Sequence, residues 1–253
     1  MGKLGKLTIS LGALGILSFA SVAFANHTWG NYHWARTANP FTLKIGDNVS
    51  SQWDTVLRNA SNDWSQSVVL DTTVVSGRSS RSCNPTLGRV EVCNNRYGNN
   101  GWLGVASIWV VGDHISEGTV KLNDTYFNTA TYNTTAWKNL VTCQEIGHTF
   151  GLSHQDEDFY NANLGTCMDY TANPTSNQHP NTHDYDELAL IYAHLDTTTS
   201  VGQSTSNGIG SDIGDLKKDW GKAIKKDSKG NDNVFEKDLG DGNKVITHVF
   251  WAE

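Results

Sequence analysis

The chain has 253 residues, of which 38% are hydrophobic and 18% charged, with nine Trp, eight Tyr and eight Phe. This much apolar and aromatic side chain excludes a largely disordered protein and suffices for one large domain or two small ones. The first 25 residues contain two Lys and no acid, so the rest has 17 basic and 26 acidic residues and a net charge of −9. This acidic balance argues against binding to nucleic acid or to an anionic membrane, since both require neutralising Lys and Arg.

The N-terminal 25 residues have the three parts of a secretory signal peptide. Lys3 and Lys6 precede an apolar run over residues 7–19, and Ala23-Phe24-Ala25 forms a small-x-small cleavage site. The apolar run is shorter than the roughly 20 residues of a membrane span, which favours cleavage over anchoring. We therefore expect a secreted, extracellular protein that is a monomer and has no membrane association after cleavage.

The predicted elements alternate strand, helix and strand, which indicates an α+β fold of α/β-like order. Apolar residues alternate within residues 34–47, and helical spacing with Ser51 as N-cap predicts a helix up to residue 67. A β-branched strand over residues 68–76 follows, and then a polar loop. Further elements are predicted as strands at 103–111 and 118–123 and as helices at 135–150 and 184–195.

Composition divides the remainder of the chain. Residues 197–214 are rich in Ser, Thr and Gly and are predicted to link a main domain over residues 26–196 to a small extension over residues 215–253. The extension is predicted to hold a short basic helical stretch around 216–226 and a hairpin formed by 234–239 and 244–251. Because about 40 residues bury little surface on their own, we expect the extension to dock onto the main domain or a partner.

Four cysteines in an exported chain are candidates for two disulfides. Cys83, Cys93, Cys143 and Cys167 allow three pairings, and Cys83 with Cys93 could close a short ring within the polar loop. The residues alone leave these pairings open.

The stretch from Gln144 to His154 carries the pattern of a catalytic metal site. Gln144 and His148 lie four apart on one helix face with Glu145 beside them, and Gly151 lets the chain reverse so that His154 can approach the same ion. Three protein ligands leave one coordination position for water, and Glu145 is placed to act as the general base.

This stretch resembles the signature of metzincin metalloendopeptidases, His-Glu-x-x-His-x-x-Gly-x-x-His followed by a methionine turn. Met168, within residues 165–170, is placed as the Met-turn of that family, and the resemblance covers roughly residues 34–196. It implies a catalytic domain with a mixed twisted sheet over the active-site helix. It also implies that residues 103–111 form a matrixin-like edge strand that pairs with an extended polypeptide substrate.

The chain departs from the signature at Gln144, which replaces the first His. An amide oxygen is a weaker zinc donor than imidazole, although some gametolysin-like metzincins share Gln-Glu-x-x-His. The expected cofactor is Zn²⁺ held by Gln144, His148 and His154, and the nitrogen and oxygen ligand set does not exclude copper.

Two further assignments follow from the resemblance, and a third follows from the usual roles of histidines near the surface. Tyr170 has the spacing at which astacin-like and serralysin-like metzincins carry an oxyanion-stabilising tyrosine, the alternative being a packed loop residue. A Cys143–Cys167 bridge would join the Met-turn to the helix, which leaves Cys83 with Cys93. His179, His183 and His194 are expected to serve capping and surface hydrogen bonds rather than to bind metal.

Together these features predict a secreted metal-dependent endopeptidase in which Glu145 activates water for attack on a peptide bond. The alternative is an inactive, metzincin-like secreted binding module with a structural metal site. In that case exposed aromatic residues would grip a ligand, the candidates being Trp29, Trp34, Trp102 and Trp251.

Overall fold

The computed structural model describes residues 1–2, 27–78, 82–204 and 210–252, so nearly all of the predicted signal peptide lies outside the described residues. The strands are β1 (His33–Trp34), β2 (Phe41–Asn48), β3 (Leu70–Ser76), β4 (Val90–Asn95), β5 (Trp102–Val111), β6 (His114–Asn123), β7 (Lys222–Lys226), β8 (Asp232–Gly240) and β9 (Asn243–Trp251). The α-helices are α1 (Asp54–Trp64), α2 (Asp124–Phe127), α3 (Thr135–His148) and α4 (Thr182–Ile191).

The described strands form one mixed sheet in the order β3-β2-β4-β6-β5-β9-β8-β7, with β1 paired to β6. Strands β3, β2, β4 and β6 run parallel, whereas every pair from β6 through β5 to β7 is antiparallel. The structure is thus of mixed α+β class, as predicted. None of the described helices has the length and apolar character needed to cross a bilayer.

The first strand–helix–strand unit follows its sequence pattern closely. Along β2 the apolar Phe41, Leu43 and Ile45 are buried while Thr42 and Lys44 are exposed, because successive side chains of a strand face opposite sides. The N-cap of α1 is Trp53, which makes no side-chain capping bond, so the prediction of Ser51 as the cap is wrong.

Strand β4 lies inside the segment predicted to be a polar loop. Glu91, at its second position, is fully buried and pairs with Arg89, whose Nε lies 2.9 Å from Glu91 Oε1. Glu91 also accepts a hydrogen bond from Asn48 Nδ2 at 2.6 Å. Because of this buried ion pair, charged residues occupy positions where the alternation rule expects apolar ones, and the sequence pattern therefore does not indicate a strand here.

The C-terminal extension docks onto the main domain by adding strands to its sheet. The predicted basic helical stretch is instead a short 3-10 turn (Lys217–Asp219) followed by β7. Strand β9 pairs with β5 from Trp102↔Trp251 to Val111↔Asn243, so the prediction that β5 is an edge strand is wrong. Burial of apolar β9 side chains against the main core, including Ile246 and Phe250, stabilises this pairing.

Candidate functional site

Helix α3 carries the metal-binding motif and is buried along its C-terminal half. The Thr134 side chain caps its first turn by accepting from the Trp137 backbone N–H, and Gln144, Glu145 and His148 are fully buried. The helix ends at His148. Gly151 follows with φ +96°, and the Tyr32 carbonyl oxygen fills the position that a Cβ would take. Only glycine combines a positive φ with the absence of a Cβ, and the turn it permits directs the chain back towards the helix.

His148 and His154 meet through their Nε2 atoms, which lie 3.0 Å apart. His148 Nδ1 donates to the Leu152 carbonyl at 2.8 Å, and His154 Nδ1 donates to Glu157 Oε1 at 2.8 Å. Since these acceptors fix the proton on Nδ1, each neutral ring directs an Nε2 lone pair at the other. Two facing lone pairs repel unless a cation lies between them.

A third imidazole, that of His248 on β9, completes this group. The donor atoms of His148, His154 and His248 all lie within 4.8 Å of one another, and the His248 ring stacks on that of His148 with centroids 3.8 Å apart. Neither His248 nitrogen has a hydrogen-bond partner among the described residues, although the side chain is fully buried. Sequence reasoning missed His248, whose only signal is a lone histidine in a largely apolar strand.

The Nε2 atoms of His148 and His154 have the spacing of two zinc ligands, whereas the His248 ring, which is stacked on that of His148, must turn to direct a nitrogen at the same ion. Zinc holds histidine nitrogens at about 2.0–2.1 Å in a tetrahedral arrangement, which places neighbouring donors about 3.3 Å apart, close to the observed separation of His148 and His154. Burial lowers the pKa of all three rings, so they are neutral and have free lone pairs at neutral pH. An ion bound by His248 would satisfy one of its two buried nitrogens.

Glu157 supports the site by holding His154 in position. Burial opposes its ionisation, but hydrogen bonds from His154 and from Lys225 outweigh this and lower its pKa to about 2. The carboxylate therefore stays charged and keeps the His154 proton on Nδ1. No motif in the sequence pointed to Glu157, and Lys225 comes from β7 of the C-terminal extension.

Glu145 lies under β5 in a space that depends on a glycine. A Cβ at Gly104 would lie 2.8 Å from both Cγ and Oε1 of Glu145, so a larger residue there would displace the carboxylate. Burial raises the pKa of Glu145 well above its usual value. Neither carboxylate oxygen makes a side-chain or backbone hydrogen bond of ordinary geometry within the described residues.

Gln144 is held on the Met168 segment rather than on the three imidazoles. Its Nε2 donates to the Cys167 carbonyl at 2.7 Å, while its buried Oε1 has no hydrogen-bond partner among the described residues. The amide nitrogen therefore anchors the side chain, and the amide oxygen is left available to bind a metal ion.

Met168 is fully buried against α3, and a disulfide between Cys143 and Cys167 joins its segment to the helix. The second disulfide joins Cys83 to Cys93, so both predicted pairings are present. At Gly147 a Cβ would lie 2.6 Å from Trp64 Cζ2 and 2.7 Å from Met168 Sδ. The helix, Trp64 and Met168 thus pack with no space for a side chain at this position.

Gly147→Ala is expected to destabilise the protein by about 1–3 kcal/mol, because the added methyl group must displace Trp64 or Met168 from a close-packed core. The free energy of unfolding, measured in urea, checks this. The control Thr135→Ala changes an exposed residue of the same helix and should shift that free energy by no more than about 0.5 kcal/mol. Equal stabilities for the two variants would contradict the packing described.

Tyr170 lies beside the imidazoles, with its ring centroid 4.2 Å from that of His154. Its hydroxyl accepts a hydrogen bond from Asn233 Nδ2 at 3.4 Å and lies 3.5 Å from the Val249 carbonyl. Both partners belong to the C-terminal hairpin of β8 and β9. The hydroxyl expected to stabilise an oxyanion is thus engaged by the docked extension.

The other singled-out histidines lie elsewhere, and the singled-out tryptophans are largely buried. His179 Nδ1 pairs with Asp63 at 2.7 Å, His183 Nδ1 lies 3.0 Å from His27 Nε2, and His194 lies beside His33. Trp29, Trp34 and Trp102 are core residues and offer no exposed surface for gripping a ligand, while Trp251 is partly buried. The aromatic ligand-binding surface of the alternative function is therefore not formed by these residues.

The whole site is covered in this structure. Gln144, Glu145, His148 and His248 are fully buried, and His154 is 5% exposed. Strand β9 forms the cover, and the Trp29 ring packs on His248 with centroids 3.5 Å apart. A polypeptide therefore has no access to Glu145 in this structure.

No protein-family model matches this sequence, and no curated protein is similar to it in sequence. Among solved structures, two of myroilysin are each 10% identical; one covers 66% of this chain and 98% of its own with a TM-score of 0.40, the other 69% and 97% with 0.35. High choriolytic enzyme 1, a hatching enzyme zinc-protease from the medaka fish Oryzias latipes, is 9% identical over 64% of this chain and 94% of its own, with a TM-score of 0.35. Similarities at this level carry no conclusion about the fold or the activity of this chain.

Proposed function

We propose that the protein is a secreted metal-dependent endopeptidase whose C-terminal hairpin closes the active site in the structure described. The observation that carries this is the convergence of His148, His154 and His248, two of them with lone pairs face to face, with the buried Glu145 on the same helix as His148. A purely structural metal site does not require a fully buried glutamate with a raised pKa, whereas perturbed carboxyl groups of this kind cluster at catalytic sites.

The residues of the chain divide the work of peptide hydrolysis. A zinc ion held by the histidines would polarise the scissile carbonyl and increase the acidity of the attacking water. Glu145 accepts the proton of that water and later donates it to the leaving amine. The Leu152 carbonyl and Glu157 keep His148 and His154 in the metal-binding tautomer. Tyr170 is the candidate donor to the oxyanion once its hydroxyl is released from the hairpin.

The hairpin occupies the place of the substrate. An extended polypeptide would pair with β5 through backbone hydrogen bonds, and β9 makes those bonds in the closed form. When β9 leaves β5, His248 leaves with it. Gln144 then remains on the same helix face as His148 with a free Oε1, and we assign it as the third protein ligand of the open form.

The proposed third ligand is His248 in the closed form and Gln144 in the open form, and measurements of zinc affinity distinguish these two roles. His248→Ala should weaken zinc binding at least about 100-fold, because the closed form loses one of three protein ligands. Gln144→Ala should leave zinc affinity within a few-fold of wild type in the closed form but abolish cleavage of denatured casein at saturating zinc. Competition with chelators of graded affinity measures the first effect. Zinc bound as tightly by His248→Ala as by wild type would contradict this ligand set.

A catalytically inactive binding module is the second candidate, favoured by the complete burial of the site. It predicts stoichiometric metal and no cleavage of denatured casein by the full-length protein with or without added zinc. The identity of the metal is a separate question, since imidazole also suits copper. Elemental analysis of protein purified without added metal distinguishes zinc from copper.

A further inference from the structure

A second group of metal-ligating side chains lies outside the active site, where the N-terminal segment meets the chain that follows α4. It consists of His33 on β1, His114 at the start of β6, and His194 and Asp196 beyond the end of α4. We propose that these four residues form a second metal site that takes a zinc ion with a structural role. None of them is part of the catalytic group.

The donor atoms of His33, His114 and Asp196 all lie within 4.8 Å of one another, and His194 lies close to two of these three residues. Asp196 Oδ1 lies 3.2 Å from His114 Nε2, 3.5 Å from His33 Nε2 and 3.8 Å from His194 Nε2, and the Nε2 atoms of His33 and His194 are 3.1 Å apart. Four ligands at about 2.0–2.1 Å around a tetrahedral zinc ion lie about 3.3 Å from one another. Three imidazoles and one carboxylate are also ligands that zinc accepts.

Hydrogen bonds hold the donors in the orientation that a metal requires. His33 Nδ1 donates to the Asn31 carbonyl at 2.7 Å, so the neutral ring directs the lone pair of Nε2 at Asp196 and His194. Arg36, itself 2% exposed, donates to Asp196 Oδ2 at 2.8 Å, which leaves Oδ1 for the ion. A lone pair facing a carboxylate oxygen at 3.5 Å is unfavourable without a cation between them.

The backbone brings these residues together independently of the ion. His33 pairs with His114 in the β1–β6 ladder, and the Asp196 N–H donates to the Arg36 carbonyl at 2.9 Å. Four protein ligands close the coordination shell, which is the mark of a structural rather than a catalytic zinc site. An ion here would tie the N-terminal segment to the end of α4. In this proposal His194 binds the ion, in contrast to the surface hydrogen bonding expected from the sequence.

The site opens to solvent, unlike the active site. The side chains of His114 and His194 are 41% and 53% exposed, and a cavity of about 370 Å³ lies beside His33 and His194. The ion can therefore enter and leave while β9 remains docked. Alanine at either exposed histidine should also be tolerated by the fold.

The test counts zinc in the full-length protein after equilibration with Zn²⁺ alone. His114→Ala and His194→Ala should each bind one zinc ion fewer per chain than wild type, and zinc should raise their melting temperature less. The control His179→Ala, which changes another exposed histidine, should keep the wild-type count. The difference of one ion is expected whether or not the catalytic group is loaded, so its absence is distinguishable from failure of the proposed activity.

A second measurement covers the case in which the two sites differ greatly in affinity. The double variant His148→Ala/His154→Ala should retain one zinc ion, and adding His194→Ala should weaken its binding at least about 100-fold. Two results would overturn the proposal. One is equal zinc counts and affinities with and without His114 and His194, which would place any second ion elsewhere. The other is no zinc in the double variant together with an unchanged count in His114→Ala, which would mean that protons alone join these side chains.

Discussion

Glu145→Gln is expected to lower the rate of casein cleavage by about 10²–10⁴-fold and to leave zinc content unchanged. The amide has nearly the shape of the carboxylate, so it still fits under Gly104, but it cannot accept the proton of the attacking water. Cleavage rates at saturating zinc, with metal content measured on the same samples, check this. An effect on kcat with little change in KM would locate the loss in the chemical step.

The matched control is Glu187→Gln. Glu187 is also a buried glutamate, 2% exposed, but it lies on α4 and outside the catalytic group. Its variant should cleave casein at nearly the wild-type rate. If Glu145→Gln were as active as Glu187→Gln, Glu145 would not be the general base, and the metal group would have to be read as structural.

Locking β9 onto β5 is expected to abolish cleavage without removing the metal. Ser107 and Thr247 face each other across these strands, with hydroxyl oxygens 3.0 Å apart, so Ser107→Cys/Thr247→Cys places two thiols in position for a disulfide. Once bridged, the double variant cannot release the hairpin and the open form is no longer populated. We expect at least about a 100-fold loss of casein cleavage relative to the single variants, with zinc still bound.

The single variants Ser107→Cys and Thr247→Cys are the controls, since each changes one side chain and neither can bridge the strands. Mass spectrometry of an alkylated digest shows whether the bridge has formed and whether Cys143–Cys167 and Cys83–Cys93 are intact. A fully bridged protein that cleaves casein as fast as the single variants would show that substrate reaches Glu145 without displacing β9. The assignment of the hairpin as a cover would then be wrong.

Local patterns in the sequence determined most elements of the main domain. The alternation along β2, the helical spacing of α1 and α3 and the glycine that ends α3 each act over a few neighbouring residues, and the structure has these elements. The placement of His148 and His154 on either side of Gly151 is likewise determined by a few neighbouring residues. The helix ends at His148, and a turn at positive φ at Gly151 suffices to bring these two rings together.

Features that depend on distant pairing were not visible in the same way. Strand β4 was not predicted because Arg89 and Glu91 form a buried ion pair at its start, where the alternation rule expects apolar residues. His248 was missed because its approach to His148 requires β9 to pair with β5, and no short-range pattern specifies the strand partner.

The sequence by itself therefore determined the helix that carries Glu145 and His148, the turn that returns His154 and the hairpin strands of the extension. Only the tertiary structure decided that β9 pairs with β5, that His248 lies beside His148 and His154, and that His33, His114 and His194 lie around Asp196. The physical reason is that periodicity and turn chemistry act within a few residues. The pairing of distant strands is instead selected by the burial of apolar side chains, such as Ile246 and Phe250 of β9, in the common core. A histidine on such a strand, such as His248, is positioned by that pairing.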